Sequence, residues 1–211
     1  MTGRRGRLIA LEGVDGCGKS TQAGLLAEHL GARLTFEPGA TPLGRTLRTL
    51  VLEGDGDGPA IRAEALLMAA DRAQHVAEVI EPELAAGRWV VTDRFSGSTL
   101  AYQGFGRGLD VAELAEVVSW ATAGLEADLS ILIDVPGPVA RSRLAAARPD
   151  RLERLDEDFH RRVGDGFRAL AAGDPTRWVV VDGAAGPDAV ARAVAGAVAE
   201  RLGRRGDPGG G

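Results

Sequence analysis

One cysteine, Cys17, stands in 211 residues, so the chain forms no disulfide within itself and offers no multi-cysteine metal site. That usage fits a reducing compartment, and the expected location is the cytoplasm. Aromatic residues are scarce at 4% against a hydrophobic fraction of 45%. The core must therefore be built mainly from Ala, Leu and Val. No apolar run approaches the length of a membrane span, so no membrane partner is expected. The opening MTGRRGRLIALEG is basic, but its apolar run is only as long as a strand and does not read as a signal peptide. Excess positive charge is missing too. A formal net charge of −5 argues against a nucleic-acid polymer as partner, although clustered arginines can still grip a small nucleotide. The three histidines, His29, His75 and His160, lie far apart on expected helices and read as helix-face residues rather than a metal site. No serine–histidine–acid hydrolase pattern is present.

What is present is an alternation of short apolar runs with helical patterns. RLIALE (7–12), ARLTFE (32–37), RWVVTD (88–93), ADLSILIDV (127–135) and RWVVVD (177–182) read as five strands. They are continuous apolar runs rather than alternating ones, which marks a parallel sheet covered on both faces. Helices are expected over 19–30, 43–53, 61–86, from Pro136 onward, over 157–172 and up to Leu202. Pro82 is placed to kink the third of these or to start a new one. The fold class is α/β, with a five-stranded parallel sheet flanked by helices in three layers. One domain is expected over 1–202, with GRRGDPGGG (203–211) as a disordered tail.

LEGVDGCGKSTQ (11–22) holds Gly13, Gly18, Lys19 and Ser20 in the spacing G-x-x-x-x-G-K-[ST], between a strand and a helix. In such a loop, backbone N–H groups turn inward around phosphate oxygens and the helix N-terminus adds its positive end. Gly13, Val14, Asp15, Gly16, Cys17, Gly18, Lys19, Ser20 and Thr21 are the expected ATP-binding residues. Lys19 reaches the terminal phosphates, and the Ser20 hydroxyl is a candidate Mg²⁺ ligand.

A phosphate loop does not say who receives the phosphate. Three further segments bear on that: FEPGATPLGRTLR (36–48), AADRAQH (69–75) and DRFSGSTLAYQGFGRG (93–108). Asp93 and Arg94 follow a strand, and in open α/β sheets that edge holds the ligand. Arginine forks suit phosphate, so at least two arginines are available to clamp a second, accepting phosphate.

EGVDGCGKSTQ, EPGATPLG, DRFSGSTLAYQGFGRGL, the strand LIDV, and DRLE followed by DFHRRVGDGF stand in an order that resembles the bacterial thymidylate kinases. The resemblance implies a P-loop NTPase fold of the nucleoside monophosphate kinase type. It also implies transfer of the γ-phosphate of MgATP to dTMP, and a homodimer in which the helix from Ile61 and the helix 111–120 are candidate interface elements. Residue by residue, it implies that Asp15 faces the sugar and accepting phosphate, that Arg94 binds that phosphate, and that Asp93 lies near Mg²⁺. Arg72 would read a thymine carbonyl, and Ser98 and Thr99 the base edge. Tyr102 would crowd the 2′ position beside Gln103, and Glu37 and Pro38 would line the acceptor pocket. Adenine is placed around 182–185. The segment at about 146–157 matches a lid, and since the phosphate loop carries no arginine, Arg148 and Arg151 are the candidate catalytic cations together with Lys19, Asp15 and Arg94. The chain departs from the family at Met68, where an aromatic often covers thymine, and at Phe36, where an arginine often precedes Glu-Pro. Two other readings stay open on sequence alone. One is a P-loop kinase of a different nucleotide or nucleoside, and the other is a nucleotide-binding regulator without turnover.

Overall fold

The computed structural model describes residues 5–53, 58–144 and 149–203. Arg148, the start of the expected lid and the tail from residue 204 lie outside the described residues. Five strands, β1 (Leu8–Glu12), β2 (Arg33–Thr35), β3 (Val90–Thr92), β4 (Leu129–Asp134) and β5 (Trp178–Asp182), form one sheet in the order β2-β3-β1-β4-β5. Every pairing is parallel, with Ile9 opposite Val91 on one side and Leu129 on the other. The expected five-stranded parallel sheet between helices is therefore what the chain builds.

Strand alternation sorts the core. Ile9 and Leu11 point to the face covered by α1 (Lys19–Leu30) and α9 (Pro187–Leu202), where they meet Ala23, Leu26, Val190 and Val194. Leu8 and Ala10 point the other way, toward Phe95, Val76 and Ile80. That second face also carries α8 (Glu157–Gly173), whose Phe159, Val163 and Phe167 pack with Tyr102 and Leu132. Between these lie α2 (Pro42–Leu52), α3 (Ile61–His75), α4 (Glu81–Ala85), α5 (Ser96–Thr99), α6 (Val111–Ala121) and α7 (Gly137–Leu144).

Local chemistry sets the helix ends. Thr41 accepts from the N–H of Gly44 ahead of Pro42, Asp110 accepts from the N–H groups of Ala112 and Glu113, and Asp156 accepts from that of Phe159. Gly31 ends α1 at φ 55°. The long helix expected over 61–86 does not break at Pro82. It passes through a π-helical segment, Val76–Ile80, directly ahead of α4. The wider turn falls just before the position where the missing N–H of proline interrupts the i→i−4 ladder. A second π-helical segment, Leu100–Gly106, continues α5 and carries Tyr102 and Gln103.

α1 leaves β1 toward one face of the sheet, while the chain after β3 turns to the other. Adjacent strands whose connections part in this way open a crevice at their carboxyl ends. The phosphate loop and the Asp93–Arg94 pair stand on its two sides.

α8 approaches the Leu100–Gly106 segment closely enough that a Cβ on Gly106 would lie 2.6 Å from Phe159 Cε2 and 2.8 Å from Val163 Cγ2, both residues buried. Gly106→Ala is expected to destabilise the fold by about 2 kcal/mol and to lower the melting midpoint by roughly 6 °C, read by thermal unfolding.

Candidate active site

The loop between β1 and α1 turns through three glycines with positive φ, Gly13 at 145°, Gly16 at 79° and Gly18 at 97°. At Gly16 a Cβ would lie 2.2 Å from the carbonyl oxygen of Ala140, so the loop is closed against α7 in a form only glycine allows. Lys19 is buried, and its ammonium donates to the Val14 carbonyl at 3.3 Å and to Asp15 Oδ1 at 3.1 Å. Arg94, arriving from the end of β3, donates through Nη2 to the same Asp15 oxygen. The Tyr102 hydroxyl donates to Asp15 Oδ2 at 2.7 Å, and the Arg94 guanidinium lies 5.0 Å above the Tyr102 ring. Burial would push the Asp15 carboxyl up, but Arg94 and Lys19 outweigh it and hold the group well below the usual carboxylate range.

Two cavities open on either side of Asp15. Asp15, Lys19, Ser20 and Glu153 line both of them. The first is also lined by Glu37, Pro38, Met68, Arg72, Asp93, Arg94, Ser98, Thr99, Tyr102 and Gln103. All ten residues expected at the acceptor therefore come to one cavity. The second is lined by Gly16, Cys17, Gly18 and Thr21 and by the loop Gly183–Pro187. Gly13 and Val14, also expected at ATP, do not line it. Gly13 instead packs beside Cys17 Sγ and the Ile133 carbonyl, each 2.8 Å from where its Cβ would be.

Arg72 is held on three sides in the wall of the first cavity. Its Nε donates to Glu37 Oε2 at 2.8 Å, its Nη1 to Thr99 Oγ1 at 2.7 Å and its Nη2 to the Phe95 carbonyl at 2.9 Å. Glu37 is held in turn by His75 Nδ1 at 2.8 Å, and His75 Nε2 lies 2.6 Å from Thr35 Oγ1. His75, on a packed face of α3, is thus a fully buried link behind Arg72. Burial would raise the Glu37 carboxyl, and Arg72 and His75 overcome this to bring it below its ordinary value. Nearby Asp71 has only the Gly39 N–H as hydrogen-bond partner among the described residues, at 3.0 Å. Burial and the charge of Glu37 push it up to about 6.

Ser20 Oγ donates to Asp93 Oδ2 at 2.6 Å, while Asp93 Oδ1 is buried without a hydrogen-bond partner. An orphaned buried carboxylate oxygen beside a hydroxyl is a donor set suited to a hard divalent cation.

The structure places Arg151 differently from the sequence expectation. Its guanidinium is buried and donates to the Val51 carbonyl at 2.6 Å and to Glu64. Glu64 is fully buried and also accepts from Gln103 Nε2 at 2.9 Å and Arg107 Nη2 at 2.8 Å. In this conformation Arg151 ties its own segment to α2 and α3 and does not line either cavity. Sequence reasoning also missed Arg143, which donates to the carbonyls of Cys17 and Gly183 at 3.4 and 3.1 Å and lines the second cavity. RSR in α7 announces a basic helix, but only helix docking decides which arginine faces the loop.

A family model described as thymidylate kinase matches residues 11–194. A thymidylate kinase of Synechococcus sp. (strain JA-2-3B'a(2-13)) is 50% identical over 199 residues, covering 92% of this chain and 95% of its own. That of Chromobacterium violaceum is 47% identical over 189 residues, covering 87% and 89%. A crystal structure of thymidylate kinase from Ehrlichia chaffeensis matches with a TM-score of 0.76 at 31% identity, over 92% of this chain and 99% of that one.

Glu37 ties the wall of the first cavity together through charge. Its native pKa lies below its ordinary value of 4.5, so its stabilisation is full above that value and is lost as the pH falls through the lowered native one. Glu37→Gln is expected to cost about 3 kcal/mol at pH 7, with the gap to wild type shrinking below pH 4.5 in denaturant unfolding across pH.

Proposed function

The chain belongs to the thymidylate kinase family and transfers the γ-phosphate of ATP to dTMP, and on that premise we propose how its residues divide the work. The observation that carries the reading is the shared boundary of the two cavities. Lys19 of the donor side and Arg94 of the acceptor side meet on one carboxylate, Asp15. ATP phosphates lie in the loop cavity and the dTMP phosphate lies against Arg94, with Asp15 between them. A phosphate oxygen of dTMP attacks the γ-phosphorus, the bond from that phosphorus to the β,γ-bridging oxygen breaks, and ADP leaves with the electron pair. The acceptor phosphate is already a competent nucleophile near neutral pH, so no general base is required and positioning with charge neutralisation does the work.

Lys19 neutralises charge on the transferred group. Arg94 exchanges Asp15 for the acceptor phosphate. Arg72, fixed by Glu37 and Thr99, presents its outer N–H groups to the base beside Ser98, Gln103 and Met68. Tyr102, held by Asp15, crowds the sugar at its 2′ position. Arg143 stands beside the donor base, next to the loop 183–187. Ser20 and Asp93 are the residues that would hold Mg²⁺, which when bound screens the phosphate charge. Arg148 remains the candidate cation of the closing lid, while Arg151 serves as its anchor.

The enzyme is read as cytoplasmic, on its cysteine usage; no helix among the described residues is long and apolar enough to cross a membrane. It is read as a homodimer. Leu66, Ala69, Ala70 and Ala73 of α3 form an apolar groove with Val117, Trp120 and Ala121 of α6, and Trp120 is 85% exposed. Residues 1–202 are read as a single P-loop kinase domain that carries both sites.

ADP release from MgATP measured with dTMP, dUMP, UMP, CMP, AMP and thymidine should be fastest with dTMP and poor with UMP. Lys19→Ala should lower kcat by about 10²–10³-fold. No turnover with any monophosphate would overturn the reading. For the dimer, Trp120→Glu should convert the protein to monomer in sedimentation, and an unchanged dimer would place the interface elsewhere.

A further inference from the structure

Glu12 is the last residue of β1 and is fully buried. Alternation along the strand sends Leu8, Ala10 and Glu12 to the same face, away from the phosphate loop that begins one residue later. The carboxylate therefore reaches the segment after β3. Its Oε1 accepts from the N–H groups of Phe95 and Ser98 at 3.1 and 3.2 Å, and its Oε2 accepts from the Ser98 hydroxyl at 2.6 Å. Ser98 Oγ in turn accepts from Arg94 Nη1 at 3.1 Å. The approach is tight. A Cβ on Gly97 would lie 2.8 Å from Glu12 Oε1 and 2.6 Å from Trp178 Cη2.

Among the described residues no cation lies within ion-pair distance of Glu12. A buried carboxylate without a direct counter-ion is costly, and burial pushes this one up to about 7, against the opposing pull of Ser98, Arg94 and Arg72. A neutral side chain would cap the two N–H groups without that cost. Ionised, as it is above that value, the carboxylate has a further consequence at Ser98. A hydroxyl whose proton is committed to a carboxylate is a stronger acceptor, and its lone pair is fixed toward Arg94.

We propose that Glu12 is a positioning residue for the acceptor phosphate, acting through Ser98 to hold one arm of the Arg94 guanidinium while the other arm exchanges Asp15 for dTMP. Arg94 has two differently held ends. Nη2 rests on Asp15 and near the Tyr102 hydroxyl, in the open cavity where the phosphate arrives. Nη1 rests on Ser98, and Ser98 on a carboxylate that no ligand reaches. When Nη2 lets go of Asp15, the Nη1 anchor keeps the fork aimed. This rests on Arg94 as the acceptor-phosphate ligand.

Glu12→Gln tests it with little change of shape. The two backbone N–H groups fix the remaining oxygen as their acceptor, so the new amide nitrogen faces Ser98, and the serine proton loses its carboxylate. Measured at about pH 8.5, where the wild-type carboxylate is ionised, the expected result is a rise of roughly tenfold in KM for dTMP, with KM for ATP within about twofold of wild type. Ser98→Ala should raise KM for dTMP similarly, and Glu12→Gln should add nothing in the Ser98→Ala background. An unchanged KM for dTMP in Glu12→Gln, an equal change for ATP, or an additive loss in the double variant reduces Glu12 to a structural cap and overturns the proposal. If Glu12→Gln does not fold, Ser98→Ala is measured in the Arg94→Lys background, and a loss that adds to that of Arg94→Lys overturns the proposal, because Ser98 would then act on dTMP without Arg94. Arg94→Lys, which keeps the charge but loses the fork, separates the premise from the relay. If it leaves KM for dTMP unchanged, the reading of Arg94 fails. If it weakens dTMP while Glu12→Gln does not, the relay alone fails.

Discussion

Asp15 carries one negative charge between two cations that come from distant parts of the chain, Lys19 of the phosphate loop and Arg94 of the loop after β3. Without it, two partly buried positive charges would face each other across the crevice with no ligand to separate them, an arrangement low-dielectric surroundings penalise. The carboxylate gathers Lys19 of the phosphate loop, Arg94 and the Tyr102 hydroxyl to one point. On the proposed reading, each incoming phosphate replaces a contact that Asp15 already holds in place, which leaves little reorganisation for the moment of transfer.

The sheet makes that gathering possible. The order β2-β3-β1-β4-β5 sets β1 and β3 side by side, although 77 residues separate the end of one from the start of the other on the chain. Their connections part to opposite faces, so the phosphate loop and Asp93–Arg94 are neighbours across a crevice rather than across a helix. Behind the crevice, buried charge does the bracing. Glu37 and His75 stand behind Arg72, Glu12 and Ser98 behind Arg94, and Glu64 under Gln103, Arg107 and Arg151. Each acid faces donors from elements that are remote in sequence, and each braces residues that line the first cavity.

Much of this was legible in advance where the signal is local. Continuous apolar runs gave five strands covered on both faces, and glycine spacing between a strand and a helix gave the phosphate loop. The block from Asp93 to Gly108 pointed to the acceptor wall. The bracing residues were not legible. Glu12 reads as the polar end of a strand, Glu64 as one acid on a helix, and His75 as one more helix-face residue, because nothing within a few positions of each says which distant group it will meet. Arg151 shows the same limit from the other side. Its neighbours resemble the lid segment of the family, yet Glu64 and the Val51 carbonyl, some ninety to a hundred positions earlier, decide where its guanidinium goes.

The sequence by itself determined the element types, the parallel sheet and the phosphate-binding loop, because each follows from periodicity, glycine placement and spacing within a single turn or strand. Only the tertiary structure decided which side chains share a charge. Packing α1 and the chain after β3 on opposite faces put Lys19 and Arg94 on Asp15. The alternation of β1 turned Glu12 toward Ser98. The docking of the Arg151 segment on α3 carried its guanidinium to Glu64. Hydrogen bonds and ion pairs act over about 3 Å of space whatever the separation along the chain, so their partners exist only once the sheet has set its strands side by side.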